Sequence, residues 1–497
     1  MMAATQVLGK SLGEILPNVG SEIAQHRVTG LALDSRWVRA GDLFLAYPGE
    51  HSDGREFIAQ AVSAGAAAIA AEPGFDFPAL TVPLVSVPNL RAQVSQIADV
   101  YFEHPSAAMA VVGVTGTNGK TSVTQLLGQA LRLLGRRCGV IGTLGNSLGG
   151  NSLDGNVGGG SLTTPDPIAL QQQLADWRDQ QVRYTAMEVS SHGIAQARVA
   201  GVQFRGAVFT NLTRDHLDFH GTMAHYAATK AALFDYPGLQ FAIINVDDEF
   251  GRELAERLHG KLRVVEYSVN EPAAISVRNK RYELSGVSAQ LITPWGDIAL
   301  RSALLGDFNL SNLLAVVAVL GELGIAAGDI AHVLPQLQPI AGRMQRVADA
   351  VDMEVVVDYA HTPDALAQAL MALRRHSKGQ LWCVFGCGGD RDSGKRPQMG
   401  AIAVQYADRV VVTSDNPRSE EPAAIIAEIL AGTASAPVHV EADRAAAIQW
   451  AVQRAQAGDI VLLAGKGHED YQIVGKQRVP FSDVHVARAA LQARASS

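Results

Sequence analysis

The stretch that most limits what this chain can fold into is AMAVVGVTGTNGKTSVTQLLGQALRLLG, residues 108–135. It opens on an apolar run of strand length, turns through closely spaced glycines, and closes on a helical pattern. Backbone N–H groups of such a loop, together with the start of the following helix, bind phosphate oxygens. Lys120 adds a mobile positive charge for the β- and γ-phosphates, and Thr121 offers a hydroxyl to Mg²⁺. Five residues, not four, separate Gly113 from Gly119, so the working motif is G-T-N-G-K-T: Gly116, Thr117, Asn118, Gly119, Lys120 and Thr121, with Ser122 next. The reading is a nucleoside triphosphate site on an α/β framework.

The rest of the chain repeats that alternation. Its 497 residues suggest about three domains at roughly 100–200 residues each. A first block to about residue 106 alternates short apolar runs (GDLFLAYPG, AAAIAAE, PLVSVPN) with turns and ends near His104-Pro105-Ser106. The second carries the glycine loop and the strand-like runs RYTAMEVS, GAVFTNL and FAIINVDD; the third carries MEVVVDYA, QLWCVFGCGG, RVVVTSDNP, PVHVEAD and DIVLLAGKG. Strands alternating with helices predict mostly parallel sheets with ligands at the strands' C-terminal ends. The loop GNSLGGNSLDGNVGGGSLTTP is too polar to pack and reads as mobile or ordered by a ligand.

Composition is that of an ordinary globular protein, 47% hydrophobic and 18% charged, and the net charge of −8 favours neither nucleic acid nor an anionic membrane. The first residues lack a basic segment followed by an apolar core, so no signal peptide is expected, and no apolar run approaches the roughly 20 residues of a membrane span. Three cysteines argue against a disulfide framework and for a reducing compartment. Cys383 and Cys387 read as buried thiols rather than a metal site. The expectation is a cytoplasmic protein.

Phosphoryl transfer also needs metal ligands. Glu188 closes the run AMEVSSHG, His216 lies between Asp215 and Asp218 in FTNLTRDHLDFHG, and Lys230 sits among alanines in HYAATKAALF. Taken singly these are a solvated strand end, a structural histidine and a surface lysine. Together, GTNGKT, MEVSSHG, TRDHLDFHG, HYAATK, GDFNLSN, AGRMQRV, DYAHTPDAL and DNPR, in this order, resemble the Mur ligases of peptidoglycan synthesis. Within that family they are most similar to the MurE type, which adds the third amino acid to UDP-N-acetylmuramoyl-dipeptide. The resemblance runs from LDSR (33–36) to GKGHEDYQ (465–472).

The resemblance implies an N-terminal α/β UDP-binding domain (1–106), a central P-loop ATPase with a mostly parallel sheet (107–341), and a C-terminal Rossmann-like amino-acid-binding domain (342–497). It implies that Lys230 is carbamylated by CO₂, and that the carbamate, Glu188 and His216 hold one Mg²⁺ while Thr121 and Glu188 hold another. Asn309 and Asn312 would face adenine, Arg343 the γ-phosphate and Asp358 the ribose, with His361 beside the nucleotide. Ser35, Thr163, Thr164, Ser190, Gln196 and Arg198 match the UDP-substrate contacts. The reaction implied is ATP-dependent amide synthesis through an acyl phosphate, by a monomer, with domain closure bringing the amino-acid site to that intermediate.

The stretch SDNPRSEEP names the amino acid. By resemblance Asp415, Asn416, Pro417 and Arg418, with Arg391, Gly465 and Glu469, contact meso-diaminopimelate. A planar cation suits its far carboxylate, and Asp415 and Asn416 supply acceptors for its far amine. Members that add lysine depart from DNPR. Competing readings are the same reaction with L-lysine, a folylpolyglutamate or cyanophycin synthetase lacking the UDP block and DNPR, and a GTPase-like switch. The last would need an NKxD base reader, and Asn245–Asp248 (NVDD) lacks its lysine. A non-catalytic nucleotide-binding module would lack Lys120, Glu188 or Lys230, and all are present.

Overall fold

Alternating burial along short strands fixes the layers of this molecule. The structure is a computed structural model describing residues 9–50, 52–77, 79–149, 162–283, 285–347, 353–434 and 436–495. Residues 150–161 of the glycine-rich loop, and the first eight residues on which the leader expectation rested, lie outside the described residues. The chain divides into two compact units, Met1–Tyr267 with Ala318–Leu323, and Ser268–Val317 with Gly324–Ser497.

The first unit holds two main sheets. The smaller is parallel, in the order Gly30–Ala32, Asp42–Ala46, Ala68–Ala71, Leu84–Ser86. Period-2 alternation sends Leu43, Leu45, Ala68 and Ala70 towards Leu90, Val94 and Ile97 of the helix Leu90–Tyr101. Phe44, Ala46, Ile69 and Ala71 face Ile58 and Ala61 on the other side. The larger sheet has seven strands: Arg263–Tyr267, Phe241–Asn245, Phe204–Phe209, Ala110–Thr115, Tyr184–Glu188, Cys138–Ile141 and Ser147–Leu148, parallel except the last. Every residue of Ala110–Thr115 is buried, as a central strand covered on both faces requires. Its register places Glu188 beside Val114 and Phe209 beside Thr115, so both neighbouring strands end at the glycine loop.

The second unit begins with an antiparallel sheet, Ser276–Glu283, Gly286–Ile292 and Ile298–Ser302, a region that carried no sequence expectation. It continues with a six-stranded sheet: Gln345–Arg346, Glu354–Asp358, Ile460–Ala464, Leu381–Phe385, Arg409–Val412, Val438–Val440, parallel except at the first strand. One face sends Val356, Leu462, Cys383, Phe385 and Val412 into a core with the helices Pro363–Arg374 and Lys395–Tyr406. The other sends Val355, Val357, Leu463, Val384 and Val411 towards Arg444–Arg454 and Asp483–Ala495. Both faces are covered, so the strands read as continuous apolar runs. Truncating one such side chain, Leu462 to alanine, would cost about 2–5 kcal/mol. Cys138, Cys383 and Cys387 are buried and free of disulfides.

A fully buried ion pair sits at the C-terminal end of this sheet's strand Ile460–Ala464. Arg444 donates from Nε and Nη2 to the Asp483 carboxylate, each at 2.7 Å, and from Nη2 to Ala464 O at 3.0 Å. Two helices are thereby tied to the C-terminal end of the strand Ile460–Ala464. No helix of the described residues is long and apolar enough to cross a membrane.

Candidate functional site

In the first unit the glycine loop is pinned from the strand beside it. Thr117 N donates to Asn211 O at 2.8 Å, Asn118 N to Asn211 Oδ1 at 2.9 Å, and Thr210 Oγ1 to Asn118 O at 2.5 Å. Gly119 caps the helix Lys120–Leu133, whose first turn holds Lys120, Thr121 and Ser122, the last two buried. Lys120 Nζ bends back onto Gly116 O and Thr117 O, each at 2.9 Å, within the loop that would wrap the phosphates.

On the opposite side of the loop Glu188 is buried at its strand end. Its Oε2 accepts from Thr121 Oγ1 at 3.0 Å and Thr143 Oγ1 at 3.2 Å, while Oε1 accepts from Thr143 N at 2.9 Å. The carboxylate fits here because residue 142 is glycine; a Cβ there would stand 2.1 Å from Glu188 Oε1. A buried carboxylate ringed by hydroxyls is a hard-oxygen donor set, which suits Mg²⁺. Among the described residues no ready cluster of His, Cys, Asp and Glu stands out as a metal site.

Lys230 is not the surface lysine that its local sequence, taken singly, suggests. It lies on the helix Met223–Ala231 with its side chain almost wholly buried, Nζ over the Tyr226 ring at 4.5 Å and donating to Gly116 O at 2.8 Å. Lys120 donates to that same carbonyl. Burial pushes the Lys230 amine well below the usual lysine range; Lys120 adds to the effect, and Asp215 opposes it. His216 is exposed, with Nε2 3.5 Å from Asp215 Oδ2 and its ring edge-on to His192 at 4.9 Å.

The residues assigned to the UDP-substrate gather beside Glu188, with one exception. Thr164 Oγ1 donates to Glu188 O and meets Ser190 Oγ, both at 3.0 Å. Ser190 caps the helix Ser191–Ala195 by accepting from Gly193 N at 3.0 Å. Thr163 Oγ1 lies 3.1 Å from Thr143 Oγ1. Arg198 donates to Thr164 O at 2.8 Å and to Gln196 Oε1, and Gln196 Nε2 donates to Glu50 at 2.6 Å. Ser35 stands apart, donating to Gln60 at 2.9 Å from a 3₁₀ turn.

In the second unit most of the remaining residues collect at the C-terminal ends of the six-stranded sheet's strands, while Asn309 and Asn312 lie on a helix. Arg343 lies over the Tyr359 ring at 4.9 Å; Asp358 accepts from Met344 N at 2.7 Å; His361 Nδ1 meets Tyr359 O at 2.7 Å. Desolvation raises the Asp358 carboxyl, and Arg343 resists the rise. Asn309 and Asn312, buried on the helix Asp307–Glu322, are linked side chain to side chain at 3.4 Å.

The DNPR group follows the strand Arg409–Val412. Lys466, fully buried, donates to Asp415 Oδ1 at 3.1 Å, Asn416 Oδ1 at 3.0 Å and Glu469 Oε2 at 3.3 Å. Asn416 Nδ2 donates to the same Glu469 oxygen at 2.8 Å, and Asn416 Oδ1 also accepts from Ile473 N at 3.0 Å. The amide oxygen expected to receive a substrate amine is thus already committed. Pro417 is buried; Arg418, at φ 53°, donates from Nη1 to Gly389 O at 2.8 Å and from its backbone N–H to Ile473 O at 3.0 Å. Gly388 separates the side chains of Arg418 and Arg391, the latter on an exposed loop. Gly465 N donates to Asp358 O at 3.0 Å, linking this group to the Asp358 loop.

Comparison with known proteins places this geometry. Three family profiles match: the Mur ligase family catalytic domain over residues 27–102, the Mur ligase middle domain over 114–320, and the Mur ligase glutamate ligase domain over 342–467. The chain is 51% identical over 487 residues to UDP-N-acetylmuramoyl-L-alanyl-D-glutamate–2,6-diaminopimelate ligase of Pseudomonas aeruginosa, covering 97% of this chain and 98% of that protein. The chain belongs to the Mur ligase family. Mur ligases are ATP-dependent acid–amino-acid ligases of peptidoglycan precursor synthesis, and this chain is one of them. The protein of the same name from Chromobacterium violaceum is 50% identical over 470 residues, 93% of each chain. A solved structure of a diaminopimelate ligase of that name aligns with TM-score 0.75 at 36% identity, over 99% of this Mur ligase and 100% of the other chain. The match over 27–102 and the intact DNPR stretch argue against a folylpolyglutamate or cyanophycin synthetase.

Sequence reasoning passed over the groups that hold this Mur ligase's site residues in place: Thr143, Asn211, Tyr226 and Lys466. None belongs to a periodic pattern. Lys466 alone carried a signal, a charged residue directly after the buried run IVLLAG.

Proposed function

We propose that this Mur ligase joins the γ-carboxylate of D-glutamate in UDP-N-acetylmuramoyl-L-alanyl-D-glutamate to one amine of meso-diaminopimelate, releasing ADP and phosphate. The carboxylate oxygen attacks the γ-phosphorus of ATP, the bond to the β-γ bridging oxygen breaks, and ADP leaves. The amine then adds to the acyl phosphate carbonyl, and the tetrahedral intermediate loses phosphate and a proton to give the amide. Lys120 and the amides of Gly116–Thr121 hold the phosphates, and Arg343 offsets charge that develops in transfer. Thr164, Ser190 and Arg198 orient the dipeptide end of the UDP-substrate, and their bonds towards Glu188 support that role. Asn309, Asn312, Asp358 and His361 serve the nucleoside, and Ser35 the UDP moiety.

Thr121 and Glu188 would hold one Mg²⁺, and Glu188, His216 and a carbamate on Lys230 a second. Bound there, the ions neutralise phosphate charge. The buried, weakly basic Lys230 amine favours the carbamate, because only a neutral amine adds to CO₂, with release of one proton. The product anion also turns the repulsion from Lys120 into attraction.

The observation that carries the choice of diaminopimelate is that Asn416 joins Arg418 to the Asp415–Lys466–Glu469 group: Arg418 Nη1 reaches Asn416 O at 3.5 Å, and Lys466 donates to Asn416 Oδ1 at 3.0 Å. A guanidinium beside an acidic pair suits an amino-acid end that bears both carboxylate and ammonium. The named relatives support the same substrate. We read 1–106, 107–341 and 342–497 as the UDP-binding, ATPase and amino-acid domains of a cytoplasmic monomer. Mass spectrometry of a reaction containing ATP, the UDP-dipeptide and diaminopimelate tests the proposal. The UDP-tripeptide is the expected product; ADP without it would refute the assignment.

A further inference from the structure

Lys466 lies among the residues assigned to the amino acid without being one of them. Its side chain is fully buried, and an ammonium has three N–H donors. All three find acceptors, on Asp415 Oδ1, Asn416 Oδ1 and Glu469 Oε2. Nothing of it is left for a ligand. What it does is decide which oxygens its neighbours keep. Asn416 Oδ1 is closed by Lys466 and Ile473 N, and Glu469 Oε2 by Lys466 and Asn416 Nδ2. Among the described residues Asp415 Oδ2 and Glu469 Oε1 accept no hydrogen bond. Gly465 leaves the first of these open: at φ +117° it carries no side chain, and a Cβ would stand 2.9 Å from Asp415 Oδ2. Two carboxylates against one lysine also leave the group one negative charge in excess.

We infer, resting on the diaminopimelate reading above, that Lys466 is the positioning residue that selects the far ammonium of the incoming amino acid. By holding one oxygen of Asp415 and one of Glu469, it presents the other two as acceptors and leaves one unbalanced charge for a cation to meet. Arg418 takes the carboxylate on the same carbon. Without Lys466, two carboxylates lose their common cation in a low-dielectric site. They then repel one another and separate, and the paired acceptors for the ammonium are lost. Lys466 touches no reacting atom, so its loss acts on amino-acid binding rather than on the phosphoryl step.

The test compares diaminopimelate with L-2-aminopimelate, which keeps the reacting amine and far carboxylate but has hydrogen for the far ammonium. In the Lys466→Met protein the KM for diaminopimelate rises roughly 10- to 100-fold, as loss of charge-assisted bonds implies. The kcat and the KM values for ATP and the UDP-dipeptide change by less than about threefold, the remaining bonds to those substrates being intact. The preference of the native enzyme for diaminopimelate over aminopimelate collapses in this variant, and Lys466→Arg recovers part of it. If Lys466→Met does not fold, Lys466→Gln serves, keeping polar donors beside Asp415, Asn416 and Glu469 while removing the charge. It raises the KM for diaminopimelate and leaves that for aminopimelate unchanged. Equal effects on both amino acids, or a fall in kcat at constant KM, overturn the role of Lys466. Absence of diaminopimelate-dependent turnover in the native enzyme instead overturns the substrate reading on which it rests.

Discussion

Lys230 shows how far a residue's surroundings can depart from its sequence context. In HYAATKAALF it stands among alanines like a solvated side chain, yet the fold buries it against Gly116 O and the Tyr226 ring. Local composition could not reveal that, because the burial comes from a helix docking on a loop 114 residues earlier. Replacing Lys230 with alanine is expected to lower kcat at least about a hundredfold, by removing the metal-holding carbamate proposed above. Millimolar formate or acetate should restore part of the rate, since a free carboxylate can stand where the carbamate stood; a steady-state assay with and without the acid checks this. Arg418 offers a second single-residue test. Its guanidinium is planar and forked, and lysine cannot reproduce that shape. Arg418→Lys should raise the KM for diaminopimelate by roughly 10-fold or more, as loss of one bidentate contact implies, with the KM for ATP unchanged.

Among the elements, the parallel strands were legible because burial on both faces leaves them as unbroken apolar runs. AVVGVT, YTAME, FAIIN, EVVVD, LWCVF and IVLLA each stand where their pattern placed them. The sheet over 276–302 was not legible. Ser276–Glu283 carries SVRNKRYE, with no apolar face to betray a strand, and pairing with Gly286–Ile292 holds it. The hairpin Tyr471–Val474 with Gln477–Pro480 is mostly solvated and was missed for the same reason. The pair Arg444–Asp483 ties two helices to the six-stranded sheet with both partners fully buried. Asp483→Asn leaves the guanidinium without its counter-charge and should cost about 3–5 kcal/mol in denaturant unfolding. The short helix Leu217–His220 predicts an acid response. Burial first, then the neighbouring His192, His225 and His216, push the His220 imidazole down to about 4 from its ordinary 6.5. The unfolded chain therefore takes up this proton before the folded one, so stability is full above 6.5 and is lost as pH falls through 4. The unfolding midpoint should drop across that window, and His220→Asn should flatten the drop.

At the scale of the whole molecule, the order of motifs carried more than any single one of them. GTNGKT, Glu188 and Lys230 lie far apart in sequence, and the fold converges them on the end of one central strand. DNPR and GKGHE converge likewise on the end of another sheet. The residues that hold these groups together stayed hidden, because a hydrogen-bond partner leaves no periodic trace. The match to diaminopimelate ligases over nearly the whole chain agrees with a reading in which every block takes part in one reaction. That reading demands all three substrates at once and a strict choice among amino acids. A site built for a second carboxylate leaves the Arg418 guanidinium without its counter-charge when lysine binds, and discrimination of about a thousandfold or more follows. Phosphate release by the purified protein with ATP and the UDP-dipeptide, in the presence of meso-diaminopimelate, L-lysine or neither, measures this most directly. Release with diaminopimelate and almost none in the other two reactions is the expected result; equal rates with lysine, or release that needs no amino acid, would contradict it.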